Sequence, residues 1–169
     1  MNAEKLIAQM ERDTQRILVL VEGVSAEQAA WRSHAESWSI LEVVNHLYDE
    51  EREDFRVRLD ITLHNPTREW PPIDPRGWVT ARGYSQRELA PSVQNWLDER
   101  RSSLAWLRSL GVADWEARYT APFGVMSAGD LLASWVAHDL LHMRQLVELH
   151  RAYVVHLAEP YNTEYAGPW

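Results

Sequence analysis

The longest unbroken amphipathic run in the chain starts after Ser127 and extends to about Val155. Leu131, Leu132, Trp135, Val136, Leu146 and Leu149 recur along it at i, i+3, i+4 spacing, which is the face of one long helix turned to a core. Ser127 to Asp130 has the form of a capping box with Asp in place of Glu, giving the run a defined start. A helix of this length cannot bury its stripe alone, so the sequence must supply partners of similar length.

Three further segments meet that need. Residues from about Ala3 to Glu22 place Leu6, Ile7, Met10, Thr14, Ile17, Leu18 and Val21 on one stripe, and Gly23 stops the helix. Ser39-Ile40-Leu41-Glu42 is a full capping box. It opens a helix to about Leu63, with Ile40, Val43, Val44, Leu47, Phe55 and Leu59 facing inward. A third helix is expected from about Pro91 to Ser109, ended by Gly111, with Val93, Trp96, Leu97, Leu104, Leu107 and Leu110 on its inward stripe. Ser25 to Gln28 has the form of one more box and opens a short turn of helix. The segment from Asn65 to Tyr84 carries Pro66, Pro71, Pro72 and Pro75, and is expected to be non-helical and packed down as a lid. Asp114 to Met126 reads as a second irregular connector. The expected fold class is all-α: a four-helix bundle with long connections, forming one domain over residues 1–169.

Composition removes several function classes. The chain has 169 residues, 17 basic and 25 acidic, for a net charge of −8. It therefore lacks the basic face that non-specific nucleic-acid binding needs, and no nucleic-acid partner is expected. There is no cysteine, which excludes disulfides, iron–sulfur clusters, thiolate zinc sites and cysteine nucleophiles. Any transition metal must be held by His, Asp, Glu and water. No apolar run approaches the roughly 20 residues of a membrane span, and Met1 leads into an amphipathic helix, so no membrane partner and a cytoplasmic location are expected. Nine tryptophans supply core filler and, in part, candidates for a cleft wall.

Two polar residues interrupt the last stripe. His138 and His142 are four apart, hence one turn apart on one helical face, and can reach a single ion. A lone buried histidine is ordinarily a hydrogen-bonded core residue, but a spaced pair on an apolar stripe needs partners for both rings. His46, beside inward-facing Val43 and Leu47, is the plausible third ligand. Three protein ligands leave positions open for water or substrate, the pattern of a catalytic site. Asp49, Glu50 and Glu51 near His46, and Asp139 beside His138, are the candidate catalytic residues, as proton acceptors or as partners for a ligand's second nitrogen. Part of that acidic run is simply a solvated helix face. Tyr48, Trp78, Tyr84 and Trp135 are candidate pocket walls. His34, His64, His150 and His156 have no partner at useful spacing.

The segments Trp38-Ser39-Ile40-Leu41-Glu42-Val43-Val44-Asn45-His46-Leu47 and Met126-Ser127-Ala128-Gly129-Asp130-Leu131-Leu132, with His138-Asp139-Leu140-Leu141-His142-Met143-Arg144-Gln145, resemble the DinB-like superfamily of bacterial four-helix bundles, which includes the YfiT-like group. Asp49, Glu51, Arg100, Trp115 and Pro122 fall in the same order, and the likeness spans nearly the whole chain. The resemblance implies a divalent-metal site of His46, His138 and His142, with zinc or nickel as the expected ion, and a homodimer. It also implies a metal-dependent transferase in which the ion activates a low-molecular-weight thiol toward a small-molecule substrate, a step that needs no cysteine of the protein's own.

Two alternatives stand beside it: a metal-assisted small-molecule hydrolase, and a non-enzymatic metal or small-molecule binding protein. His138-Asp139-x-x-His142 is similar to the zinc-protease His-Glu-x-x-His pattern, but Asp is one methylene shorter and misplaces the base. A di-iron site wants Glu three residues before a ligating His, and no histidine here has one. Because imidazole must be deprotonated to coordinate, loss of metal is expected toward pH 5.

Overall fold

A computed structural model describes all 169 residues. Helix α1 spans Ala3–Val21 and α2 is the short Ala26–Ala30. α3 (Ile40–Glu50) runs through one π-helical turn, Glu51–Phe55, into α4 (Arg56–His64). α5 is Pro75–Ala81 and α6 is Leu89–Ser109. A hairpin of β1 (Arg118–Ala121) and β2 (Gly124–Ser127) precedes α7 (Ala128–Leu157). The α3–α4 unit, α1, α6 and α7 form a four-helix bundle: α1 packs on α6 and α7, α3 on α6, and α4 on α7.

The caps form where the sequence places them. Ser39 and Glu42 make a reciprocal box, as do Ser127 and Asp130, each side chain bonding the other's backbone N–H. Ser25 caps α2 through Gln28 N–H.

Three local expectations are corrected. The Asn65–Tyr84 segment is not wholly irregular: α5 forms with Pro75 in its first turn, where no N–H is needed, and Asp74 caps it by accepting from Gly77 N–H at 3.0 Å. α6 begins at Leu89, two residues before Pro91. Proline is tolerated there for the same reason, since the first-turn amides have no intrahelical acceptor. The Asp114–Met126 connector contains a two-stranded antiparallel sheet pairing Arg118 with Ser127 and Ala121 with Gly124. It is anchored from a distance: the Trp70 ring stacks on Tyr119 at 4.1 Å, and Trp70 N–H donates to Tyr119 Oη at 3.0 Å.

The core is in two halves. One gathers Met10, Leu59, Leu107, Leu132 and Trp135; the other gathers Ile17, Val43, Leu47, Trp96 and Leu146. Residues lying between these sets along each helix are polar yet buried: Asp13 and Thr14 on α1, Glu51 and Asp54 in the π turn, Arg100 and Ser103 on α6, Asp139 and His142 on α7. The π turn sets the phase of this layer. Three α-turns cover about 11 residues, whereas Leu47 and Leu59, both in the core, are 12 apart. The extra residue is absorbed at Glu51–Phe55, a common location for functional side chains in such turns.

Candidate metal centre

His46 comes from the middle of α3, and His138 and His142 come from successive turns of α7. Their ring nitrogens converge. His46 Nε2 lies 3.3 Å from His138 Nε2, and His142 Nε2 lies 3.0 Å from the same atom. One imidazole nitrogen carries either one proton or one lone pair, so His138 Nε2 cannot satisfy both neighbours by hydrogen bonding. A cation can. An ion about 2.0–2.1 Å from two imidazole nitrogens holds them about 2.9 Å apart at a right angle and about 3.3 Å apart at a tetrahedral angle. The two separations fall at those values.

Surrounding groups orient the rings. His142 Nδ1–H donates to Gln145 Oε1 at 2.7 Å, which fixes the tautomer with the Nε2 lone pair facing the cluster. Trp38 packs on His46 with centroids 4.9 Å apart, and Phe55 on His138 at 5.1 Å. His46 Nδ1 is buried without a hydrogen-bond partner. Burial holds the rings neutral: it is the largest cause lowering His46 to about 3 and His138 to about 2, with the charge of His142 next, and it also lowers His142. Burial therefore favours the deprotonated rings that coordination requires.

The carboxylates expected to serve as proton acceptors are mostly committed elsewhere. Arg100, itself buried, donates from Nη1 to Asp139 Oδ2 at 2.6 Å and from Nη2 to Asp139 Oδ1 at 2.8 Å. The same guanidinium holds Glu51 from Nε at 2.8 Å, and Trp135 Nε1–H donates to Glu51 at 3.3 Å. Asp49 is held by Arg82 at 2.8 Å, Arg52 at 3.0 Å and the Tyr84 hydroxyl at 2.5 Å. Glu50 forms no ion pair; burial first, then the adjacent Asp54, pushes it up to about 8, which favours the protonated carboxyl.

The expected walls are also revised. Trp135 stacks on Phe55 inside the core, Tyr84 is buried against Asp49, Trp78 lies under Arg82, and Tyr48 lies under Arg52. The cavity that reaches the cluster, about 980 Å³, is instead bounded by His142, Gln145, Trp38, Trp169 and residues of the α2–α3 connector that include His34. Trp169, at the end of the tail, folds back against α7, where Arg151 lies over its ring at 4.9 Å. His150 is not partnerless: it bonds Leu20 O through Nε2 at 2.6 Å and meets Gln28 Nε2 at 3.0 Å.

Residues 9–146 match the model of the DinB superfamily. The chain belongs to the DinB superfamily. Among solved structures, this DinB chain is similar to YfiT from Bacillus subtilis, described as a probable metal-dependent hydrolase with an unusual four-helix bundle topology. The TM-score is 0.77 at 20% identity, covering 88% of this chain and 86% of the other. No curated protein matches the DinB chain in sequence. No helix of it is long and apolar enough to cross a membrane.

Proposed function

We propose that the chain is a metal-dependent hydrolase of small molecules, its divalent ion held by His46, His138 and His142. The observation that carries this reading is the clustering of three imidazoles, their ligand nitrogens within 4.8 Å of one another and His46 and His142 Nε2 each at a metal-compatible separation from His138 Nε2, beside a cavity of about 980 Å³. The description of YfiT as a probable metal-dependent hydrolase adds support from a protein of similar fold. A zinc- or nickel-type ion in a three-histidine site supplies Lewis-acid polarisation and a nucleophile at neutral pH. The chain's own residues do the rest. Gln145 holds His142 in the tautomer that presents its lone pair, and Trp38 and Phe55 limit the freedom of the His46 and His138 rings. Arg100 neutralises Glu51 and Asp139 behind the site, leaving neither free to act as a base.

The test combines metal analysis with turnover. Metal content is measured on the purified chain and on His46→Ala, His138→Ala and His142→Ala, and hydrolysis of 4-nitrophenyl esters is followed with and without added thiol. About one ion per chain, lost in each variant, together with turnover that needs the ion and no thiol, is the expected result. Turnover that appears only with a small thiol would replace hydrolysis by the thiol transfer that the family resemblance implies. A chain that takes up no zinc, nickel or cobalt would refute the metal site.

A further inference from the structure

The cavity beside His142 carries a small local excess of positive charge. The chain carries −8 overall, yet Arg76 from α5 and Arg144 and Arg151 from α7 line this one space, against two carboxylates, Glu36 and Glu148. One of those carboxylates is spoken for, since Glu148 lies 3.3 Å from Arg144 in an exposed pair. Such pairs are weak and exchange readily for a better-placed anion. Arg76 forms no ion pair. Arg151 uses only the face of its guanidinium, over the Trp169 ring, which leaves the edge N–H donors for another acceptor.

The three arginines also have a defined relation to the histidines. Arg144 and Arg151 are two and nine residues beyond His142 on the same helix, and Arg76 reaches the cavity from the short helix that the Pro-rich segment builds. We propose that this cavity selects an organic anion, whose carboxylate or phosphate is drawn in by the guanidiniums that line it, Arg76, Arg144 and Arg151, with the other end turned toward the side that His142 lines. The inference deepens the hydrolase reading and rests on it for the position of the reacting end. The anion site itself does not need the metal. In a protein of net negative charge, a local group of guanidiniums favours anions at this one cavity.

A matched pair of probes separates the two ideas. Cobalt-loaded protein is titrated with 3-mercaptopropionate and with the neutral 3-mercaptopropionamide, following the sulfur-to-cobalt absorption band. Both probes offer the same sulfur, so any difference reports the carboxylate. The expected result is tighter binding of the anion by at least about tenfold at low ionic strength, the range for a charge-assisted contact. That preference should fall within about twofold in Arg76→Gln/Arg144→Gln/Arg151→Gln at unchanged cobalt content. Equal affinities in the parent protein, or a preference that survives the triple variant, would overturn the proposal while leaving the metal site standing. If the chain takes up no cobalt, the metal reading fails alone. The arginines are then read by calorimetry with 3-mercaptopropionate on metal-free protein, where binding lost in the triple variant supports the proposal and absence of binding overturns it.

Discussion

Replacing Arg100 by methionine isolates the energetics of the charged layer under the histidines. The guanidinium and both its carboxylate partners are at most 1% exposed, so none can fall back on water when the network is broken. Removing the cation leaves Glu51 and Asp139 buried without a countercharge. Breaking a buried pair this way costs about 3–5 kcal/mol. In a domain of 150–250 residues each kcal/mol moves the melting temperature by about 2–4 °C, so metal-free Arg100→Met should melt about 6–20 °C lower. Burial already raises Glu51 while Arg100 opposes that rise; without Arg100 the carboxyl rises further. The folded variant then binds a proton more readily than its unfolded chain, so its deficit should grow as pH is raised from about 5 to 8. The assay is urea unfolding of metal-free protein at several pH values. A triple variant, Arg100→Met/Glu51→Leu/Asp139→Leu, removes all three charges and should recover more than half of the loss, because an apolar replacement of a buried network is close to neutral. A single-variant loss below about 1 kcal/mol, or a triple variant no more stable than the single, would refute the reasoning.

Two further outcomes follow from the histidine cluster. Gln145→Leu removes the acceptor that fixes the His142 tautomer and should weaken metal binding about 10–100-fold with little change in melting of the metal-free protein; chelator competition measures it, and unchanged affinity would show that Gln145 does not orient the ring. Acidification should destabilise the metal-free chain: His46 and His138 sit near 3 and 2 when folded but near 6.5 when unfolded, so between those values the unfolded state binds more protons. Stability from the neutral rings is complete above pH 6.5 and is lost as pH falls toward 3, with a slope of up to about 1.4 kcal/mol per pH unit for each titrating histidine; a flat urea midpoint from pH 7 to 4 would contradict this, and His46→Leu should flatten it in part.

The long helices and the histidine meeting point were legible because both depend on local periodicity. A capping box and a 3.6-residue stripe define a helix by neighbours along the chain, and two histidines four apart share a face in any α-helix. The ion pairs of the carboxylates were not legible, for the opposite reason. Asp49, Glu51 and Asp139 stand next to the histidines in sequence, but their partners Arg82 and Arg100 come from other elements, and nothing local marks which arginine arrives. The hairpin was missed because its strands are four residues long and its anchor is the distant Trp70 ring. Gln145 was within reach: a hydrogen-bonding residue one turn after a candidate ligand is the spacing at which a side chain can steady an imidazole.

The divided core bears on why such a costly layer persists. A buried ion network contributes little net stability against apolar residues of the same size, so stability alone does not favour Arg100 between Glu51 and Asp139. Geometry does. Asp139 adjoins His138, Glu51 opens the π turn, and Phe55 at the end of that turn packs on His138. One planar guanidinium therefore ties α6 to α7 and to the π turn of the α3–α4 unit at the level of the cluster, with bidentate contact to Asp139 limiting rotation as well as distance. Glu51 and Phe55, four apart, share the inward face of this turn, and its extra residue shifts the phase of α4 beyond it by about 100° relative to an uninterrupted α-helix. On this argument the polar layer is a positioning device. Its disruption in Arg100→Met should alter the spacing of the imidazoles, and so weaken metal binding beyond what the loss of fold stability alone predicts.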